Sequence, residues 1–175
     1  DSLPASGLLP EPCNNYPHPE ELLSDLVDER YESTMDEIDK IRLKKEKTSS
    51  DKQLLIELKE NLSTFTYPTK PLNNVQKYFR TREDGHIMDK GDDLLEQEYS
   101  AHLARIRDKF TFMIKNQGKI PESMKTKKFA QRVLPKQWDE NGPNITTTSL
   151  PDDFVHFSQP RSLTVREWAR LQTFP

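Results

Sequence analysis

Residues 161–175 read Arg-Ser-Leu-Thr-Val-Arg-Glu-Trp-Ala-Arg-Leu-Gln-Thr-Phe-Pro. Thr164 precedes Glu167 by three positions, the spacing at which a threonine hydroxyl caps the start of a helix and the glutamate reaches back to the threonine backbone. A helix is therefore predicted to open at Thr164, and the end of the chain is expected to cut it short. Leu163, Ala169 and Leu171 give that helix an apolar contact surface. Arg161, Arg166 and Arg170 carry planar guanidinium groups that bind either carboxylates or phosphates through paired hydrogen bonds. The spacing leaves both partners open for all three.

Moving back along the chain, residues 145–157 (ITTTSLPDDFVHF) hold short β-prone runs broken by Pro151 and the Asp152-Asp153 pair. The run Thr146, Thr147, Thr148 has two readings. A threonine offers its hydroxyl to a base edge and its methyl to a thymine methyl, or the run satisfies its own backbone as β structure. Residues 119–144 are irregular and basic. Lys125, Lys127, Lys128, Arg132 and Lys136 suit phosphate contact, and Phe129 suits an anchor in the core or, as the second reading, a contact with DNA. Before them, Leu94, Leu95, Tyr99, His102, Leu103, Ile106, Phe110 and Ile114 recur at helical spacing. They predict a long middle helix from Asp92 or Asp93 to Asn116, with Gly118 as its C-terminal cap. Its polar face carries Arg105, Arg107, Lys109 and Lys115.

The first half of the chain is more acidic. Residues 1–19 are irregular and proline-rich, ending in Pro17 and Pro19. Pro19, Glu20 and Glu21 suit a first helical turn. Leu22, Leu23, Leu26, Val27, Tyr31, Met35 and Ile38 then predict one amphipathic helix running into Lys44, Lys45 and Lys47. Ser50 with Gln53 fits a second capping box, opening a shorter helix lined by Leu54, Leu55, Leu58 and Leu62. The two helices make a hairpin over 20–62, with the character of an insertion. Residues 66–92 read as loop with little regular structure.

Composition bounds the alternatives. Of 175 residues, 33% are hydrophobic and 31% charged, and the mean hydropathy is −0.90; this predicts a modest core with much irregular chain. No apolar run approaches the roughly 18 residues of a membrane span. The lone Cys13 cannot form an internal disulfide, and four scattered histidines do not make a metal site; a reducing, intracellular setting is expected. The net charge of −3 hides an asymmetry: residues 1–99 hold 13 basic and 22 acidic side chains, whereas residues 100–138 hold 10 basic and 2 acidic. A locally basic middle neutralises phosphates without a basic isoelectric point.

The stretch 161–175 closely resembles the ninth conserved block of DNA (cytosine-5) methyltransferases, of the form R-x-L-T-x-R-E-x-A-R-[LI]-Q-x-F-P. All its fixed positions match, including Gln172, Phe174 and Pro175. The approach to it, with the threonine run and Phe154-Val155-His156, resembles the family too, and so does Trp138-Asp139. The resemblance implies an enzyme that moves a methyl group from S-adenosylmethionine to C5 of cytosine in a specific duplex site. It also implies that the catalytic cysteine and the Gly-rich cofactor turn lie elsewhere. Pro12-Cys13, Glu60-Asn61-Leu62 and Arg80-Thr81-Arg82 imitate other family motifs but sit in the wrong context, and no Gly-x-Gly occurs in the chain.

The fold expected is α+β: a helix-rich fragment with an N-terminal helical hairpin, a long middle helix and a small irregular β portion. Residues 1–91 form a lead-in and acidic hairpin and residues 92–175 a target-recognition region, and the chain as a whole is expected to begin after the family's eighth block and end inside its ninth. DNA contact is expected from Thr146, Thr147, Thr148, Lys125, Lys127, Lys128, Arg132, Arg161, Arg166 and Arg170. Structural support is expected from Leu163, Thr164, Glu167, Ala169, Leu171, Gln172, Phe174 and Pro175. No catalytic residue and no metal ligand is expected in this chain; S-adenosylmethionine is bound outside it. The implied partners are double-stranded DNA and the catalytic domain of the same protein, with no membrane, in a bacterial cytoplasm at the nucleoid. The alternatives are a protein-interaction module built on the hairpin, and a catalytically inactive DNA-binding homologue.

Overall fold

The computed structural model describes residues 16–62, 66–125, 131–139 and 150–174. These form, in order, α1 (Pro19–Leu23), α2 (Arg30–Arg42), α3 (Ser49–Glu60), α4 (Asn74–Arg80), α5 (Ala104–Lys115), β1 (Arg132–Val133), β2 (Phe154–Val155) and α6 (Val165–Leu171). β1 and β2 pair in parallel, Arg132 beside Phe154 and Val133 beside Val155. The molecule is thus α+β and helix-rich, with a very small β portion, as its sequence predicts.

Three apolar clusters hold it together. The first joins Leu22, Leu23 and Leu26 to Phe79 of α4, Leu134 and Phe154 at the sheet, and Leu163 and Leu171 at α6. The second joins Tyr31, Met35, Ile38 and Ile41 of α2 to Leu58 and Leu62, and Tyr99 closes it. The third sets Phe110 and Met113 of α5 against Val155. Each such side chain contributes about 1.5–3 kcal/mol on burial, so the closing block and the N-terminal segment stabilise each other.

The predicted helix over 20–47 is two helices. The apolar spacing continues across 22–38, but the two ends bury in different clusters, and the chain must turn between them. A 3₁₀ turn covers Ser24–Leu26. Val27 is extended (φ −73°, ψ 116°), and the Asp28 carboxylate accepts the backbone N–H of Arg30 at 2.9 Å, restarting the helix. The hairpin proper is α2–α3. Its second helix is capped by Thr48 and Asp51 rather than by Ser50 and Gln53: Asp51 N–H donates to Thr48 Oγ1 and Thr48 N–H to Asp51 Oδ2, both at 3.1 Å.

Residues 66–92 also contain more order than predicted. Asn73 Oδ1 accepts Gln76 N–H at 2.8 Å and caps α4. The long middle helix is shorter than predicted, beginning at Ala104 rather than at Asp92 or Asp93. Residues 94–103 have helical spacing but bond outward: Tyr99 Oη donates to Leu26 O at 3.0 Å. Glu96 takes a left-handed φ of 61°, and its carbonyl accepts Arg166 N–H at 3.0 Å. A helix would have consumed that carbonyl. Gly118 fills the predicted role: at φ 81° its N–H donates to Met113 O at 2.8 Å.

Candidate nucleic-acid interface

The capping box at Thr164 forms as predicted. Glu167 N–H donates to Thr164 Oγ1 at 3.1 Å, and Thr164 N–H to Glu167 Oε2 at 3.0 Å. The helix it opens is not cut by the chain end. It closes after Leu171 within the described residues, where Thr173 turns left-handed (φ 64°) and Phe174 N–H reaches back to Ala169 O at 2.9 Å.

Glu167 is fully buried and receives more than the cap. Arg161 Nη1 donates to its Oε2 at 2.8 Å and Nη2 to its Oε1 at 2.6 Å. Arg161 Nε donates to Gln159 Oε1 at 2.9 Å, and its guanidinium lies 4.4 Å from the Tyr99 ring centre. Thr164 Oγ1 donates onward to Gln97 Oε1 at 2.8 Å. Burial alone would raise the Glu167 carboxyl, but the adjoining Arg161 charge and its hydrogen bonds hold it down at about 2. His156 is buried in the same cluster. Desolvation, with Arg161 nearby, lowers its pKa to about 3, so the ring is neutral. Its Nδ1 accepts Ser158 N–H at 3.1 Å and Gln159 N–H at 3.2 Å, which places the proton on Nε2, 3.7 Å from Glu167.

A second buried cluster gathers around Asp25. Arg170 Nη1 donates to Asp25 Oδ1 at 2.6 Å and to Leu22 O at 2.8 Å. Arg80 Nε donates to Asp25 Oδ2 at 2.8 Å, and its guanidinium lies 3.8 Å from the Tyr67 ring centre. One carboxylate thus serves two guanidinium groups, and it ties α6 and α4 to the turn after α1. Arg170 Nε and Nη2 have no hydrogen-bond partner among the described residues; the rings of Phe79 and Tyr67, 5.7 and 6.0 Å from the guanidinium, face that charge.

The residues expected to touch DNA divide three ways. Arg161 and Arg170 are interior, and of the two partners their spacing left open the structure gives them carboxylates. Lys125, Arg132 and Arg166 reach the surface. Arg132 is exposed with its guanidinium 5.0 Å from the Phe154 ring centre. Lys125 is paired with Glu122, and Arg166 Nε donates to Leu95 O at 3.1 Å. Thr146, Thr147, Thr148, Lys127 and Lys128 lie outside the described residues, as does Pro175. Among the supporting residues, Leu163, Thr164, Glu167 and Leu171 are buried, Ala169 and Gln172 are half-buried, and Phe174 is 64% exposed.

Sequence reasoning missed Asp25, Arg80, Gln97, Gln159 and His156 as members of the two clusters. The hints were His156 and Gln159 in the approach to the closing block and Arg80 within a motif imitation, whose partner lies 55 positions away.

Comparison with known proteins decides the family. The model of the C-5 cytosine-specific DNA methylases matches residues 8–175. The chain belongs to this family. The C-5 cytosine-specific DNA methylase chain is also similar to the type II methyltransferase M.AquIB of Picosynechococcus sp. (strain ATCC 27264 / PCC 7002 / PR-6), at 42% identity over 79 residues. That match covers 45% of the DNA methylase chain and 53% of the relative, so it spans about half of that protein's length. No solved structure matches the chain. Among the described residues, no helix is long and apolar enough to cross a membrane, and no group of three or more His, Cys, Asp and Glu is placed to hold a metal ion.

Proposed function

We propose that this chain is the target-recognition and supporting portion of a DNA (cytosine-5) methyltransferase. The whole protein transfers a methyl group from S-adenosylmethionine to C5 of cytosine in a specific duplex site, within a bacterial restriction–modification system. The observation that carries the reading is the division of the cations. The buried arginines of the closing block brace it internally, while Lys119, Lys125, Arg132 and Lys136 are exposed. A rigid support with a cationic, loop-rich exterior suits phosphate contacts that position a protein and loop contacts that read bases. Thr146, Thr147 and Thr148, with Lys125, Lys127, Lys128, Arg132 and Arg166, are the DNA-contacting set in this reading.

The chain's own residues do not fit the cofactor. Its five glycines form no Gly-x-Gly turn, and Gly85, Gly91 and Gly118 have open space where a Cβ would stand, not a ligand cradle. In this reading S-adenosylmethionine and the catalytic cysteine belong to a catalytic domain outside this chain, and no chemical step is assigned to residues here. The test is methyl transfer from labelled S-adenosylmethionine to duplex DNA. The full-length protein transfers label and the isolated chain does not; turnover by the isolated chain would show that the catalytic parts are within it.

A further inference from the structure

α5 has two differently employed faces. Phe110 and Met113 point inward, and Arg107 is turned to Asp36 and Asp39 of α2, which fixes how the helix sits on the hairpin. On the other side Arg105, Lys109 and Phe112 follow at steps of four and three, one helical face. Phe112 is 42% exposed. Lys109 Nζ donates to Gln131 Oε1 at 2.8 Å, and Gln131 Nε2 to Asp152 O at 3.0 Å. These bonds bring the face against the start of β1, where Arg132 is exposed. Among the described residues, Arg105, Lys115 and Arg132 have no carboxylate within ion-pair distance.

The geometry points to this α5 face, made by Arg105, Lys109, Phe112 and Lys115 and continued by Arg132, as a docking surface for the phosphate backbone of duplex DNA. Ten residues of helix separate Arg105 from Lys115, about 15 Å at about 1.5 Å per residue. One DNA strand presents a phosphate about every 3.4 Å of helix axis, so the row matches four or five phosphates of one strand. Phe112 adds a partly exposed apolar surface between Lys109 and Lys115. This surface rests on the DNA-binding reading above and adds to it a contact that carries affinity rather than sequence choice.

The test is binding of the full-length protein to duplexes with and without its recognised site, titrated with salt between about 50 and 200 mM. Arg105→Gln/Lys109→Gln/Lys115→Gln lowers the magnitude of the slope of log K against log salt by about 2.7, about 0.9 per lost contact, and does so on both duplexes. Lys115→Gln alone lowers it by about 0.9 and serves if the triple variant does not fold. Lys44→Gln/Lys45→Gln/Lys47→Gln, at the hairpin turn, removes the same charge and leaves the slope unchanged. An unaltered slope in the α5 variants, while the wild type binds in a salt-dependent way, overturns this inference and leaves the DNA reading standing. An equal loss in the hairpin variant also overturns it. Absence of duplex binding by the wild type at low salt overturns both.

Discussion

Arg161 and Glu167 meet in a two-pronged ion pair, 2.8 and 2.6 Å long, with both side chains fully buried. The pair joins the residue that opens the closing block to the first turn of its helix. Through Thr164 and Gln97 the same network reaches the extended segment before α5. The closing block is therefore held by a polar interior whose members depend on one another.

Glu167→Gln leaves the Arg161 guanidinium buried without its anion. Removing one partner of such a pair destabilises by about 3–5 kcal/mol. Urea unfolding will show the midpoint falling accordingly, with Arg161→Met similarly affected. The double variant Arg161→Met/Glu167→Gln loses less than the two single losses added together, because no charge is stranded. Simple additivity of the two losses would contradict the role given to the pair.

Asp25 is the more sensitive member of the second cluster. Asp25→Asn leaves two buried guanidinium groups with no counter-charge, whereas Arg80→Met leaves a neutral Asp25–Arg170 pair. Asp25→Asn is expected to cost more than Arg80→Met, by roughly 1–3 kcal/mol on the scale of a stranded buried charge. Thermal unfolding of both variants measures this, and the reverse order would sink the account of one carboxylate serving two arginines.

Acid destabilises this chain in two windows. His156 takes up a proton with a pKa of about 3 when folded, against an ordinary value of 6.5. The unfolded state therefore binds more protons below pH 6.5, and stability falls from there towards pH 3. Glu167 has a folded pKa of about 2 against an ordinary value of 4.5, so its contribution is present above 4.5 and lost as pH falls towards 2. Unfolding followed against pH will show the decline beginning near 6.5. In His156→Gln the decline between 6.5 and 4.5 becomes shallower; an unchanged profile would contradict a buried neutral histidine.

Thr164 and Thr48 cap helices in different surroundings. Thr164→Ala removes a cap, worth about 0.5–2 kcal/mol, and also leaves buried Gln97 without its donor. Thr48→Ala removes only an exposed cap. The first is expected to cost more than the second in urea unfolding, and Thr164→Ser to recover most of the difference. Equal losses would mean that the Gln97 contact adds nothing.

The legible parts of this molecule were the local ones. Thr164 and Glu167 are three residues apart, and Gly118 follows its helix directly, so both were readable from spacing. The break at Val27–Glu29 was not, because the apolar spacing of three and four runs on across it while the two halves face different clusters. Residues 94–103 misled in the same way. Their spacing is helical, but Gln97 and Tyr99 are held by Thr164 and by Leu26 O. Asp25, Arg80 and Arg170 are ordinary surface residue types, and only partners 55 and 145 positions apart make them interior. On α5 the cations were legible as a polar face, whereas the turning of Arg107 inward depended on α2.

The central claim is that this chain carries the DNA contacts of the methyltransferase. Photocrosslinking of the full-length protein to a recognised duplex bearing 5-iodouracil, followed by peptide mapping, tests it most directly. Adducts are expected within residues 119–149. Adducts confined to residues outside this chain would contradict it.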